Sequence, residues 1–278
     1  MIERMSAASP PADLSSELLS LARAIALETG RMVVEARRGG VEVADRKSSP
    51  VDVVTQVDRD AEQLIRTRLA EVRPRDGFFG EEGAREPSES GITWVVDPID
   101  GTVNFLYGIP HYAISIAAVA GEPDPQSWRA LAAVVVNPVT GELFTATAGG
   151  GAYLGAEKLA IRAPAPLAES LIATGFAYSE KTRLEQGAAI ARLLPRVRDI
   201  RRMGTASLDL CAVASGRVDA YFERTLSPWD HAAGALIATE AGARVSGFDG
   251  RRADHLMTLA AHPDSVEALE AVLRDIGA

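Results

Sequence analysis

The chain contains one cysteine and four histidines among its 278 residues. A single cysteine, Cys211, can form neither an internal disulfide nor a thiolate metal site, and its apolar neighbours predict a position in the core. A reducing cytoplasm is the simplest compartment for such a chain. The histidines are scattered along the sequence, so we expect none of them to carry the chemistry.

An excess of basic residues is also missing. The 29 Lys and Arg residues are outnumbered by 38 Asp and Glu residues, which gives a net charge of -9. Without a basic excess the chain cannot displace counterions from a phosphate backbone over a wide surface. Nucleic acid is therefore not expected as the main partner.

No apolar run reaches the length of a membrane span. The longest candidate, residues 109–121, is interrupted by Pro110 and His111 and predicts a buried strand. Residues 1–13 contain two prolines and small polar residues but no apolar segment. We expect them to form a flexible lead-in and not a secretion signal.

What the chain does contain is typical of a globular protein, with 47% hydrophobic and 24% charged residues. Helical spacing predicts two N-terminal helices, and short apolar runs then predict strands that include a hairpin around residues 138–141. From Leu171 onward strand-like and helix-like segments alternate, which indicates a layered α/β region. We expect two halves, residues 14–162 and 163–278, that form one compact unit.

Residues 94–102 read Trp-Val-Val-Asp-Pro-Ile-Asp-Gly-Thr and place two acids where an apolar strand ends. Pro98 keeps Asp97 extended, and we expect the chain to turn between Pro98 and Asp100 so that both carboxylates converge. A buried acid in this setting requires a cation. Oxygen ligands without His or Cys favour magnesium or manganese over zinc.

The residues that follow suit a phosphate. Gly101 allows the backbone to approach a ligand closely, and residues 102–105 are predicted to open a helix whose free amides face an anion. The sequence therefore predicts that metal and phosphate share one short segment.

Three further segments carry acids in unusual settings, and each has an ordinary explanation. They are Lys47 to Thr55 with Asp52, the run Gly80-Glu81-Glu82-Gly83, and Pro228-Trp229-Asp230. Asp58 and Asp230 could be simple helix N-caps, and the acidic pair could be a solvated turn. Asp52 could brace a loop, and Lys47 could be one solvated charge among many.

Taken together and in order, these segments resemble the inositol monophosphatase family of magnesium-dependent, lithium-sensitive phosphatases. The resemblance runs from about Lys47 to Ala243 and is carried by residues 97–105, residues 80–82, and Trp229-Asp230 with the Ala-Ala-Gly that follows. It implies an α/β (α+β layered) fold, the αβαβα five-layered sandwich of the inositol monophosphatase and fructose bisphosphatase type. It also implies a homodimer and a site built from both halves of the chain.

The resemblance assigns ligands for two to three Mg²⁺ ions, with Mn²⁺ as a possible substitute. The first ion takes Glu81, Asp97 and the carbonyl of Ile99, and the second takes Asp97, Asp100 and Asp230, so that Asp97 bridges them. A third, weaker ion is expected near Glu81, and Glu82 is expected to support this region.

The resemblance also assigns the reacting and binding groups. Thr102 and Asp52 match the pair that orients and deprotonates the attacking water. The amides of Gly101 and Thr102 would hold phosphate oxygens, with Lys47 close to the anion. The positions that contact ring hydroxyls of the substrate, alongside Asp100, are matched by Gly204, Thr205, Ala206 and Glu223.

Two features leave undecided which residues form the edge of the substrate site. Glu223 could instead be a surface acid that ends a strand, and residues 207–210 and 249–254 depart from the best-known eukaryotic members of the family. The leading hypothesis is hydrolysis of inositol 1-phosphate to myo-inositol and phosphate by direct in-line attack of water. The alternatives are histidinol phosphate, fructose 1,6-bisphosphate or a 3'-phosphonucleotide as substrate, or a non-catalytic regulatory homologue, which would be marked by a missing ligand.

Overall fold

The computed structural model describes residues 12–40, 43–46 and 53–278. The predicted lead-in up to residue 11 and the predicted site residues Lys47 and Asp52 lie outside these ranges. The described residues form seven α-helices: α1 Ala12–Arg38, α2 Gln56–Val72, α3 Thr102–Tyr107, α4 Glu180–Leu193, α5 Ala206–Ala214, α6 Pro228–Glu240 and α7 Val266–Asp275.

The strands fall into three sheets. A two-stranded sheet pairs β1 (Val43–Arg46) with β2 (Val53–Thr55). The seven-stranded sheet follows the chain order β3 Gly77–Gly80, β4 Ile92–Asp100, β5 Ala113–Ala120, β6 Arg129–Asn137, β7 Glu142–Thr147, β8 Gly151–Leu154 and β9 Glu157–Lys158. The third sheet contains β10 Leu171–Thr174, β11 Asp199–Arg201, β12 Ala220–Glu223, β13 Arg244–Ser246 and β14 Thr258–Ala261, in the spatial order β11-β10-β12-β14-β13.

Strand directions differ between the two large sheets. In the seven-stranded sheet β3 is parallel to β4 and every later pair is antiparallel, as the predicted hairpin required. In the five-stranded sheet β10 is parallel to both β11 and β12, whereas β14 is antiparallel to its two neighbours. In the five-stranded sheet the chain passes through α4 between β10 and β11 and through α5 between β11 and β12, as crossover connections in a parallel arrangement require.

Apolar side chains hold the elements in five layers. Helices α1 and α2 cover one face of the seven-stranded sheet through a core that includes Leu18, Ile65 and Trp94. Helices α5 and α6 fill the space between the two large sheets and contact strands of both. Helices α4 and α7 cover the outer face of the five-stranded sheet, with Leu193 and Leu269 in that core. The predicted αβαβα sandwich is confirmed.

The seven-stranded sheet contains strands that are buried almost from end to end. All eight residues of β5 are buried or nearly so, and β4 is buried throughout, which fits strands covered by helices on both faces. None of the helices within the described residues is both long and apolar enough to cross a membrane.

Candidate functional site

Strand β4 contains a bulge that brings its two acids together. Asp97 pairs with Ser115 of β5 and Asp100 pairs with Ala113, so β4 has one residue more than β5 between these pairs. Side chains alternate faces along a strand, and residues three apart would otherwise point to opposite faces. The extra residue cancels this alternation, and both carboxylates line one cavity.

The bulge corrects the expected path of the chain. We expected a turn from Pro98 to Asp100, but the strand continues through both residues, and Pro98 lies in the bulge, where a missing N–H is tolerated. The chain turns only at Gly101, which has φ +93°. A Cβ at Gly101 would lie 2.5 Å from Oγ1 of Thr205, so the position requires glycine for space as well as for backbone conformation.

Helix α3 begins at Thr102 and is tied to the segment that precedes α5. The side-chain amide of Asn104 donates to the carbonyl oxygens of His111 (2.7 Å) and Met203 (2.9 Å), and the hydroxyl of Thr205 donates to the same His111 carbonyl (3.0 Å). These bonds hold residues 204–206 beside Gly101. The two halves of the chain therefore meet at the predicted phosphate position.

The hydroxyl of Thr102 contacts Asp58, and the sequence did not predict this contact. Thr102 Oγ1 lies 3.0 Å from Oδ1 of Asp58 and 3.1 Å from the carbonyl of Ile99, and its single hydrogen can be donated to either. The expected partner, Asp52, lies outside the described residues. Burial raises the pKa of Asp58 to about 6, and hydrogen bonds from Thr55 and Thr102 act in the opposite direction.

Asp58 and Asp230 do cap helices, although neither is an N-cap. Each is the third residue of its helix in a capping box, where Thr55 and Ser227 are the N-cap residues. The amide of Thr55 donates to Oδ2 of Asp58 (2.9 Å), and the amide of Ser227 donates to Oδ2 of Asp230 (2.6 Å). Asp58 thus uses one oxygen for its helix and the other for Thr102.

A cavity of about 310 Å³ gathers most of the predicted site residues. It lies between β4, the start of α3, the start of α5 and the start of α6. The predicted residues that line it are Glu81, Asp97, Ile99, Asp100, Gly101, Thr102, Gly204, Thr205, Ala206, Glu223 and Asp230. Glu82 is not among the lining residues, and its backbone amide donates to Glu62 instead (2.7 Å).

Burial and the neighbouring carboxylates both disfavour the ionised form of the acids in this cavity. Burial raises the pKa of Asp97 and Asp230 well above the ordinary value, and the neighbouring carboxylates raise it further. Burial also raises the pKa of Asp100 to about 7, although its Oδ2 accepts a hydrogen bond from the amide of Ser207 (2.7 Å). Ionised together, these acids would repel one another strongly in a poorly solvated place.

Divalent cations fit this donor set. Among the described residues no group of three or more histidine, cysteine, aspartate or glutamate side chains is already arranged to hold a metal ion. The acids instead face a shared cavity, where a cation would offset their repulsion and their desolvation. The donors are carboxylate oxygens and the backbone at Ile99, which suit magnesium or manganese.

Glu223 lies in the cavity and not on the outer surface of β12. The hydroxyl of Tyr221 donates to Oε2 of Glu223 (2.7 Å), and the Glu223 carboxylate occupies the space that a Cβ on Gly175 would need. Burial raises the pKa of Glu223 to about 7, and the guanidinium of Arg202 lowers it. The alternative of a solvated surface acid is therefore wrong.

Two charged residues near Glu223 had no assigned role in the sequence analysis. Arg202 lines the cavity and brings a positive charge to the substrate side. Asp209 lies in the first turns of α5, is only 1% exposed, and has no hydrogen-bond partner for either carboxylate oxygen within the described residues. A signal for Asp209 was present in the sequence, because an acid between two leucines in an apolar helix is unusual.

The buried carboxyl of Asp209 is expected to make the free energy of unfolding depend on pH. Burial raises its pKa well above the ordinary value of 3.8. An acid with a raised folded-state pKa stabilises the fold fully below its unfolded pKa, and this contribution is lost as pH rises through the folded pKa. Asp209→Asn should therefore stabilise the protein increasingly with pH, by up to about 1.4 kcal/mol for each pH unit in that window.

Thermal unfolding of both proteins at pH 5, 6, 7 and 8 tests this expectation. The exposed Asp60 of α2 provides the control, since Asp60→Asn removes an equal charge without relieving burial. A Tm difference for Asp209→Asn that does not change with pH would show that the carboxyl is not held protonated in the folded protein.

Comparison with known proteins identifies the family. The model of the inositol monophosphatase family matches residues 14–276. The chain belongs to the inositol monophosphatase family. The inositol-1-monophosphatase of Mycobacterium leprae is 46% identical over 240 residues, which cover 82% of this chain and 80% of that protein. Phosphatase activity is thereby supported for the chain at the level of the family.

Two further relatives extend the comparison over more of the chain. The crystal structure of the extragenic suppressor protein SuhB from Bartonella henselae has a TM-score of 0.85 and 33% identity, and covers 93% of this chain and 98% of its own. A Vibrio cholerae protein named Nus factor SuhB is 35% identical over 266 residues, which cover 94% of this chain and 97% of that protein. Relatives of this chain thus carry an enzyme name in one case and the names Nus factor and suppressor protein in others.

Proposed function

We propose that the protein is a metal-dependent phosphomonoester hydrolase that converts inositol 1-phosphate to myo-inositol and phosphate. The observation that carries this proposal is the cavity lined by Thr102 and by the acids Glu81, Asp97, Asp100 and Asp230, with the Thr102 hydroxyl in contact with the buried Asp58. The homologues named inositol-1-monophosphatase support the choice of substrate. A homodimer is part of the same proposal and rests on the family resemblance alone.

The acids of the cavity would hold two to three Mg²⁺ ions, with Mn²⁺ as a substitute. Glu81, Asp97 and the carbonyl of Ile99 would form one set of ligands, and Asp97, Asp100 and Asp230 the other. When bound, such ions lower the pKa of water and neutralise charge on a phosphoryl group.

Thr102 and Asp58 would prepare the attacking water. Thr102 donates its hydroxyl hydrogen to Asp58, and its oxygen lone pairs can then accept a hydrogen bond from a water in the cavity. With a pKa of about 6 before any cation binds, Asp58 is a suitable acceptor for the proton that this water loses. The new bond to phosphorus forms as the bond to the opposite ester oxygen breaks, and that oxygen leaves with the inositol after taking a proton from solvent water.

The start of α3 would hold the phosphate. The first amides of a helix have no partner within the helix, and they point toward the positive end of its dipole. Gly101 and Thr102 place these amides directly after Asp100, so phosphate oxygens and the acids share the same end of the cavity.

The wall of the cavity that contains Glu223 and residues 204–206 would select the alcohol part of the substrate. Glu223 can accept hydrogen bonds from two ring hydroxyls, and Gly204 to Ala206 complete the wall beside Asp100. The guanidinium of Arg202 disfavours the ammonium group of histidinol phosphate. It favours a second candidate, a substrate with an additional anionic group such as fructose 1,6-bisphosphate.

Release of phosphate from four substrates tests the proposal. Inositol 1-phosphate, histidinol phosphate, fructose 1,6-bisphosphate and 3'-phosphoadenosine 5'-phosphate are compared with Mg²⁺ and with EDTA, with Asp100→Asn as the background protein. We expect kcat/KM for inositol 1-phosphate to exceed the others by about tenfold or more, a difference of about 1.4 kcal/mol, and to be lost with EDTA and in the variant.

Each other outcome has a defined meaning. A tenfold preference for a different member of the panel would reject inositol 1-phosphate and keep the hydrolase. No release from any of the four by folded protein with saturating Mg²⁺ or Mn²⁺ would reject the hydrolase and favour the regulatory alternative.

A further inference from the structure

Glu62 is a buried acid that contacts the loop carrying Glu81. It lies in α2, one helical turn after Asp58, and its side chain is only 4% exposed. Its Oε2 accepts a hydrogen bond from the backbone amide of Glu82 (2.7 Å), the residue that follows Glu81. A bond to a backbone amide fixes the path of the chain and not merely one side chain.

The two glycines of this loop make room for Glu62. A Cβ at Gly80 or at Gly83 would overlap the Glu62 carboxylate. Neither glycine has a positive φ, so backbone conformation alone does not require glycine at these positions. The run Gly80-Glu81-Glu82-Gly83 is therefore shaped around the Glu62 side chain, and each end of the loop is in close contact with it.

Arg66, one turn further along α2, completes the arrangement. It donates to Oε1 of Glu62 (3.1 Å), to the carbonyl of Ala84 (3.2 Å) and to the side chain of Glu86. Its guanidinium also lies 4.1 Å from the centre of the Phe78 ring. The carboxylate of Glu62 is thus charge-paired, and the residues on both sides of the loop are attached to the same helix.

We propose that Glu62 is a positioning residue that fixes the Glu81 carboxylate at its place in the cavity. Helix α2 then carries two groups at a constant separation: Asp58, which meets Thr102, and Glu62, which holds the Glu81 loop. A rigid helix between them sets the distance from the water-activating pair to the first set of metal ligands. The inference rests on the proposed function in one respect, namely that Glu81 binds a metal ion.

The test measures Mn²⁺ binding to the full-length purified protein by calorimetry, together with the Mg²⁺ dependence of phosphate release. Loss of groups that orient metal ligands typically weakens metal affinity by about 10–100-fold. We expect Glu62→Ala to show a loss in this range. At saturating Mg²⁺ we expect kcat to recover to within about threefold of the wild type, because the metal rebuilds the ligand geometry that the loop no longer imposes.

Two variants separate positioning from a structural contribution. Glu62→Gln keeps an acceptor oxygen for the Glu82 amide and should retain metal affinity to within about fivefold, since the hydrogen bond that holds the loop is preserved. Glu86→Gln removes the exposed ion pair of the same Arg66 and should leave affinity unchanged. If Glu62→Ala lowers only the Tm and the folded protein binds Mn²⁺ like the wild type, the proposal is wrong.

Should Glu62→Ala fail to fold, Glu62→Asp replaces it. Aspartate keeps the charge for Arg66 but is too short by one methylene to reach the Glu82 amide. We expect weaker Mn²⁺ binding by the Asp variant than by the Gln variant, and equal binding by the two would overturn the proposal. Wild-type protein that binds no Mn²⁺ at all would instead overturn the proposed function.

Discussion

Asp58→Asn is expected to lower kcat for phosphate release by about 10²–10⁴-fold, the usual contribution of a positioned general base. The amide of asparagine is nearly isosteric and still offers one oxygen to the capping box at Thr55, so the fold should survive. What it loses is the ability to accept a proton through the hydroxyl of Thr102. Steady-state kinetics at saturating Mg²⁺ measures the effect.

Metal binding distinguishes this loss from damage to the site. Asp58 is not among the proposed ligands, so Asp58→Asn should bind Mn²⁺ almost as tightly as the wild type in calorimetry. Asp60→Asn, in the same turn of α2 but exposed, should leave kcat unchanged. If Asp58→Asn retains wild-type kcat, Asp58 is a capping residue only and the proton acceptor lies elsewhere.

Asp97→Asn is expected to change activity and stability in opposite directions. Asp97 is the proposed bridging ligand, and the charge stabilisation that metal ions supply to a transition state is worth several kcal/mol. Because about 1.4 kcal/mol corresponds to tenfold in rate, kcat/KM should fall on the order of 10³-fold or more. The metal-free variant should nevertheless have a higher Tm than the metal-free wild type.

The stability gain follows from the raised pKa of Asp97. Burial and the charges of Glu81, Asp100 and Asp230 all favour the protonated acid in the folded state. Folding therefore becomes less favourable as pH rises above the unfolded pKa, and an uncharged amide avoids this loss. The Tm difference in EDTA should grow from pH 5 to pH 8. A lower Tm for the variant at pH 8 would mean that Asp97 stabilises the metal-free fold, contrary to this account.

Periodic apolar spacing predicted individual helices and strands, whereas the five-layered arrangement was implied by the family resemblance. The two predicted N-terminal helices are found as α1 and α2, and the apolar run 109–121 contains strand β5, Ala113–Ala120. The acids of β4 were recognisable since a carboxylate beside Val96 and Pro98 has no ordinary explanation in a buried strand.

The contact between Thr102 and Asp58 could not be predicted from the sequence. Asp58 lies 44 positions away from Thr102. Their contact depends on how α2 is rotated against the sheet. The pattern Thr55-x-x-Asp58 was visible, but it indicates a capping box and says nothing about the second carboxylate oxygen. The bulge in β4 could not be predicted either, because a bulge is defined by how a strand pairs with its neighbour.

The extra residue of β4 makes the site sensitive to chain length as well as to residue type. Val95 faces the central layer, and Val96 faces α1 and α2. In a regular strand Asp97 would lie on the same face as Val95, and Asp100 on the same face as Val96. Inserting one further residue between the two acids, with the single bulge kept, would leave every carboxylate present and the strand paired, yet turn one acid toward the opposite apolar layer. A directed-evolution library should therefore exclude insertions between the two acids.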